Sequence, residues 1–160
     1  ADVAREDEVA TAVTKAVDRF GGLHAASNNA AFSIGGALLA DVDGDDFTKT
    51  YNVTVNGVFY CMKYQIPAMQ ASDGGAIVNI GSRAADVPNI MMSPYDSAKA
   101  AVNGLTRSAA KEYALQGIRV NCVNPGVIRT AGIDAGNFTV GSVDQPEIIP
   151  TKSVHVGINH

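Results

Sequence analysis

The sequence predicts an α/β domain built on a parallel sheet with helices on both faces. Three observations carry this. Apolar residues recur at helical spacing in three segments. Short β-branched or apolar runs follow each of them. The segments alternate α-β-α-β-α-β, with connections of the right size for crossover helices. The 160 residues are 46% hydrophobic and 18% charged. That is enough apolar surface for one core, suits one domain, and excludes wholesale disorder.

The first helix is expected from Asp7 to Arg19, with Val9, Val13, Ala16, Val17 and Phe20 in phase and Gly21-Gly22 as its stop. The run LHAASNNAAF (23–32) suits a buried strand that ends near Asn28-Asn29. Residues 35–46 are a loop rich in Gly and Asp, with Asp45 or Asp46 as the expected N-cap. A long helix should run from Phe47 to Met69, its apolar face made of Phe47, Tyr51, Val55, Val58, Phe59, Met62 and Ile66. Ser72-Asp73-Gly74-Gly75 is a turn, and AIVNIGS (76–82) a strand. After a loop at 83–94, a second long helix spans Tyr95 to Leu115, with Ala98, Ala101, Val102, Leu105, Ala109 and Tyr113 in phase. Gln116-Gly117 ends it, and IRVNCVNPG (118–126) is the third strand. Residues 131–160 are expected to form a loop or tail, apart from a short strand near Ser153 to Val156.

The formal charge is −4, with no basic cluster, so nucleic acid is not expected as a partner. No stretch approaches the roughly 18 apolar residues of a membrane span. The opening ADVAREDEVA has no basic or apolar signal region, and no initiating Met. The chain is therefore expected to be processed or to be a piece of something longer, and cytoplasmic. Cys61 and Cys122 sit in apolar runs and are expected to be reduced thiols. No C-x-x-C occurs, and His24, His155 and His160 are scattered, so no metal site is expected.

Four local patterns could carry chemistry. Tyr95 and Lys99 lie one helical turn apart, on one face. A cation beside a phenol favours the phenolate and suits Tyr to proton transfer. Ser82 ends a strand, where ligands of open parallel sheets bind, and its hydroxyl could bond a carbonyl oxygen. Asn28-Asn29-Ala30 ends the preceding strand, where an amide can tie neighbouring strands together. Asn124-Pro125-Gly126, with Thr130 beyond, ends the third strand, and Gly there lets a flat ligand approach the backbone. Taken singly, each pattern also fits a solvated helix face, a loop Ser or an ordinary turn.

Their order and spacing resemble the short-chain dehydrogenase/reductase family, compact oxidoreductase type. NNA (28–30) is similar to its N-N-A-G motif with Ala31 at the last position, IVNIGS to its serine strand, YDSAKAAV to its Y-x-x-x-K motif, and RVNCVNPGVIRT to its P-G segment. The resemblance runs from about Asp2 to Thr130. It implies a Rossmann-like three-layer fold and an NAD(P)-dependent enzyme that interconverts an alcohol and a ketone. In the implied roles Tyr95 exchanges the proton at the substrate oxygen, Lys99 holds the nicotinamide ribose and depresses the Tyr95 pKa, and Ser82 polarises the carbonyl. Pro125, Gly126, Ile128 and Thr130 would lie by the nicotinamide. Asn28 and Ala30 would lie by the adenosine, and Asp2-Val3 would meet the adenine edge. The family also implies a homodimer or homotetramer through the helices at about 47–69 and 95–116.

Three departures stand out. VTVNGVFY resembles the family's V-N-x-x-G-V-F and puts Thr54 where the catalytic Asn is usual; Thr54 is expected to hold the relay water less well and to slow turnover. The Gly-rich phosphate turn of the family, and with it the residue that separates NAD from NADP, has no counterpart in the text. Neither has the usual C-terminal strand near a D-G-G turn. The domain is thus expected to be a single partial Rossmann-type unit, truncated at both ends. The competing expectation is an inactive remnant that serves as an oligomerisation or binding module. The loop at 83–94 offers Val87, Pro88, Ile90, Met91 and Met92 as an apolar lining for a hydrophobic alcohol or ketone.

Overall fold

The computed structural model describes residues 1–126, residue 128 and the backbone of 155–156. Helix α1 (Glu6–Phe20) carries acidic residues in its first turn and closes on Gly21, whose φ of 79° lets its N–H reach the Val17 carbonyl. Strand β1 (Ala25–Asn28) follows. Helix α2 (Gly44–Tyr51) is capped by Asp43, whose carboxylate accepts from Asp45 N at 2.8 Å. The expected caps, Asp45 and Asp46, instead lie in the first turn, where their charge meets the helix dipole.

The single helix expected at 47–69 is interrupted. Residues Asn52–Asn56 form a π-turn before α3 (Gly57–Gln70). Strand β2 (Gly75–Ile80) enters from a turn in which Asp73 and Gly74 both hold positive φ. A Cβ on Gly74 would come within 2.6 Å of the Gly117 carbonyl, so this turn and the one before β3 need bare glycine. Helix α4 (Ser93–Tyr113) begins two residues earlier than the periodicity suggests, with Pro94 in its first turn. Strand β3 (Ile118–Asn124) follows.

The strands are ordered β1-β2-β3-β4. The first three are parallel, with Ala25 opposite Ala76 and Gly75 opposite Ile118. Strand β4 (His155–Val156) runs antiparallel to β3, which realises in two residues the short strand expected near Ser153 to Val156. Ile77, Ile118 and Val120 pack against Val58, Met62, Ile66 and Met69 of α3 and Val102 and Ala109 of α4. This is the core. No helix among the described residues is long and apolar enough to cross a membrane.

Candidate active site

The carboxyl ends of β1, β2 and β3 lie side by side, and each predicted motif sits at or beside one of them. Asn28 ends β1 and is 6% exposed. Its Nδ2 donates to Gln65 Oε1 (3.1 Å) and Asn79 Oδ1 (2.9 Å), and its Oδ1 accepts from Gln65 Nε2 (2.8 Å). Asn79 Nδ2 donates in turn to Thr106 Oγ1 (2.9 Å). One buried amide chain therefore links β1, α3, β2 and α4, with its polar groups paired as burial requires. The strand-tying expectation for Asn28 holds; its side-chain amide is committed to the interior.

Beside Asn28 lies a cavity of about 230 Å³, with Val3, Asn28 to Ala30, Gly57 and Cys61 in its wall. Gly57 lets α3 begin this close, because a Cβ there would sit 2.9 Å from the Val3 side chain. Of the predicted pair, Val3 faces the cavity. Asp2 instead shapes the turn before α1, its carboxylate accepting from Ala4 N at 2.9 Å.

Beyond Ile80 the pairing of β2 with β3 continues. Gly81 N donates to Val123 O (2.8 Å) and Arg83 N to Pro125 O (2.9 Å), so Ser82 is held extended next to the Pro125-Gly126 segment. Gly81 is required: a Cβ would meet Cys122 Sγ and Asn103 Oδ1 at 2.8 Å and run into Asn124 Oδ1. Ser82 Oγ accepts from Ala84 N at 3.1 Å, which leaves its O–H to donate elsewhere. Gly126 is exposed, and nothing lies within 4 Å of where its Cβ would be. Ile128 is 46% exposed. Thr130 lies outside the described residues.

Lys99 Nζ lies 5.6 Å from the Tyr95 ring centroid and donates to the Ile80 carbonyl at 2.6 Å. Lys99 is 3% exposed. Burial pulls its amine from 10.5 down to about 8, opposed slightly by the nearby Cys122 thiol. Tyr95 departs from the expectation. Its phenol is pushed up, chiefly by burial and further by the Asp96 charge, while hydrogen bonding with Ser82 pulls it down. The Lys99 ammonium is directed to Ile80, so the expected depression of Tyr95 is outweighed. Ser82, Tyr95 and Lys99 are nevertheless brought together, as the motif spacing predicts.

Thr54 requires a correction. It is fully buried, and its hydroxyl donates to Phe32 O and accepts from Phe32 N, both at 3.1 Å. It fixes the segment after β1 to the π-turn and has no surface from which to hold a water. Sequence reasoning also missed Gln65, Asn79, Gly81 and Asp96. The first two had a signal: a polar residue inside an apolar stripe, between Met62 and Ile66 on the helix and between Ile77 and Ile80 on the strand.

A parallel α/β sheet with Ser, Tyr and Lys converging at its strand ends defines a class of protein, and comparison with known families agrees. The chain belongs to the short chain dehydrogenase family, whose model matches residues 1–137. It is 45% identical over 130 residues to a 2,5-dichloro-2,5-cyclohexadiene-1,4-diol dehydrogenase of Sphingobium indicum, covering 81% of this chain and 52% of that protein. It is 42% identical to a cyclohexanol dehydrogenase of Acinetobacter sp., again over 81% of this chain and 52% of the relative. A cis-4-hydroxycyclohexanecarboxylate dehydrogenase of Sinomonas cyclohexanicum is 38% identical over 148 residues, 91% of this chain and 59% of that protein. The chain thus spans about half the length of the curated relatives it matches. Among solved structures, ElxO with NADP bound superposes with a TM-score of 0.81 at 40% identity, covering 87% of this chain and 58% of that one. NAD+-bound xylitol dehydrogenase gives 0.80 at 32% identity, with 82% and 51% covered. The fold is Rossmann-like α/β.

Proposed function

We propose that the protein is an NAD(P)-dependent oxidoreductase that interconverts a small alicyclic secondary alcohol and its ketone. The observation that carries this is the convergence of Ser82, Tyr95 and Lys99 at the carboxyl ends of parallel strands, where ligands of such sheets bind. Three relatives named for six-membered-ring alcohols support the substrate class, as do exposed Val87, Ile90 and Met91 on the loop between Ser82 and Tyr95.

The residues present fit a nicotinamide cofactor. The cavity at Val3, Asn28 and Ala30 would take the adenosine end and open backbone at Gly126 the flat ring, while Lys99 would have to swing from the Ile80 carbonyl to meet the ribose. When bound, the cofactor supplies or accepts the hydride. The chain does the rest. Ser82 donates its O–H to the substrate oxygen and orients it. Tyr95, whose phenol burial pushes above its ordinary range, gives that oxygen a proton during ketone reduction and takes it back during alcohol oxidation. The Lys99 ammonium steadies negative charge on Tyr95 as it forms. Thr54 positions the Phe32 segment that follows the cavity-lining residues Asn28 to Ala30.

Turnover of cyclohexanol and cyclohexanone with NAD(H) and NADP(H) tests the proposal, with titration of both reduced cofactors beside it. A loss of turnover of about 10²–10⁴-fold in Tyr95→Phe is the expected result. Absence of turnover across a panel of cyclic and acyclic alcohols, in folded protein that binds either cofactor, would overturn it. We also propose a homo-oligomer through the faces of α2, α3 and α4, on which Phe47 and Phe59 are exposed; a strictly monomeric mass in light scattering would refute this.

A further inference from the structure

Asp96 follows Tyr95 in the first turn of α4, and a carboxylate is a costly residue to bury there. Asp96 is only 6% exposed, and burial raises its pKa. Its Oδ2 accepts the backbone N–H of Asn89 at 2.6 Å, and its Oδ1 accepts from Asn89 Nδ2 at 3.4 Å. Asn89 lies midway along the loop that leaves Ser82 and returns to Tyr95. Two residues on, Met91 holds a left-handed φ of 63°, a conformation that a side chain adopts only when its surroundings impose it. The Met91 carbonyl in turn accepts from Gly36 N at 3.0 Å, which joins the loop to the segment after β1. Gly35 permits this approach, since a Cβ there would meet the Met91 carbonyl at 3.1 Å. Ile90 and Met91, on the same loop, leave 64% and 42% of their surface exposed.

We infer that Asp96 is a positioning residue that clamps the 86–92 loop as the apolar wall of the substrate site, and so sets selectivity for bulky cyclic over short acyclic alcohols; this rests on reading Ser82 and Tyr95 as the pair that meets the reacting oxygen. The loop starts and ends at that pair. We place the carbon body of a substrate held by Ser82 and Tyr95 against this loop, where Met91 lines a cavity with Ile34, Val42 and Pro94, the residue before Tyr95. Asn89 also accepts from Met92 N at 3.3 Å and Met91 is tied to Gly36, but among the described residues Asp96 makes the side-chain bonds that hold Asn89 to α4. Asp96 touches neither substrate nor cofactor; it acts on selectivity through the loop, while its charge bears separately on the Tyr95 phenol.

Two variants separate this role from general support of the fold. Asp96→Asn keeps an oxygen that can accept the Asn89 N–H, whereas Asp96→Ala removes it. In the purified protein Asp96→Ala should raise KM for cyclohexanol by about tenfold or more, leave KM for the cofactor within about twofold, and erase most of the preference over 2-propanol. Asp96→Asn should restore most of that preference. Equal losses on both alcohols, or Asp96→Asn behaving like Asp96→Ala while folded, would overturn the inference. Hydrogen exchange gives a readout that needs no activity. The Asn89 amide should be protected in the wild-type protein and lose protection in Asp96→Ala. An unprotected Asn89 amide in the wild type refutes the clamp whatever the enzyme does. A protected amide in a protein without turnover leaves the clamp standing and refutes the proposed reaction instead.

Discussion

Replacing Lys99 with Met should make the protein more stable and far less active. Lys99 is 3% exposed and makes one hydrogen bond, to the Ile80 carbonyl. No carboxylate among the described residues pairs with it. Burial lowers its pKa from the ordinary 10.5 to about 8. Below pH 8 the amine is charged in folded and unfolded chain alike, and the folded chain carries the cost of the buried charge. That cost is about 3 kcal/mol, at about 1.4 kcal/mol for each tenfold change in proton affinity. Between about 8 and 10.5 the unfolded chain holds a proton that the folded chain has released, so wild-type stability rises with pH across this window. Met matches the Lys stem and removes the charge, but it leaves the Ile80 carbonyl unpaired, at a cost of about 1 kcal/mol. The net gain at pH 7 is about 2 kcal/mol, or roughly 4–8 °C in Tm for a chain of this size. The gain should shrink above pH 8 and vanish before pH 10.5. Thermal unfolding followed by circular dichroism from pH 6 to 10 measures this, with turnover recorded beside it and expected to fall about a hundredfold. An unchanged or lower Tm for Lys99→Met at pH 7, or a gain that does not vary with pH, would refute the reasoning.

Other outcomes follow from the same geometry. If Tyr95 carries the proton as proposed, Tyr95→Phe should lower turnover by about 10²–10⁴-fold while leaving Tm within a few degrees. Because burial raises the Tyr95 pKa, alcohol oxidation, which needs the phenolate, should climb through the alkaline range, while ketone reduction declines there. Asp96→Asn removes a charge that raises the same phenol, so both kcat/KM profiles should move to lower pH; profiles that stay in place would contradict the assigned direction. Thr54→Val leaves the Phe32 N–H and carbonyl unpaired, and should cost about 2 kcal/mol and roughly 4–8 °C in Tm, with Thr54→Ser recovering most of it. Gly81→Ala drives a methyl into Cys122 and Asn103 and should cost about 1–3 kcal/mol by chemical denaturation.

Elements with a strong period were legible in the sequence: α1, α4 and the three parallel strands fall where the apolar spacing and the glycine stops put them. The π-turn at 52–56 was not; the Thr54 hydroxyl at its centre bonds Phe32 across 22 residues of chain, a contact that no local pattern encodes. Tyr95 and Lys99 were legible because i,i+4 is a local relation. Ser82 was legible because strand ends can be read from β-branched runs. Which way the Tyr95 pKa moves was not, since it is set chiefly by burial, which emerges only when the chain folds. The Asn28–Gln65–Asn79 chain left half a signal: a polar residue in an apolar stripe announces a buried partner without naming it.

These exceptions share a physical character. Asn28, Asn79, Thr54, Asp96 and Lys99 are all at least nine-tenths buried, although Asn, Asp and Lys are mostly surface residues. A core built only for stability would place apolar side chains at most of these positions, because buried polar groups at best break even. They lie instead around the carboxyl ends of β1 and β2 and the first turns of α4, and each has a hydrogen-bond partner. Paired in this way they are directional, and a directional contact fixes geometry where an apolar one tolerates sliding. Four of the five make side-chain bonds that hold another segment in place: Asn28 and Asn79 the strands, Thr54 the segment after β1, and Asp96 the loop. Lys99 differs: among the described residues it has no anionic partner, and its bond to Ile80 leaves most of its burial cost uncompensated. A chain under selection for folding alone would lose that residue first, so its presence beside Tyr95 argues for retention by function.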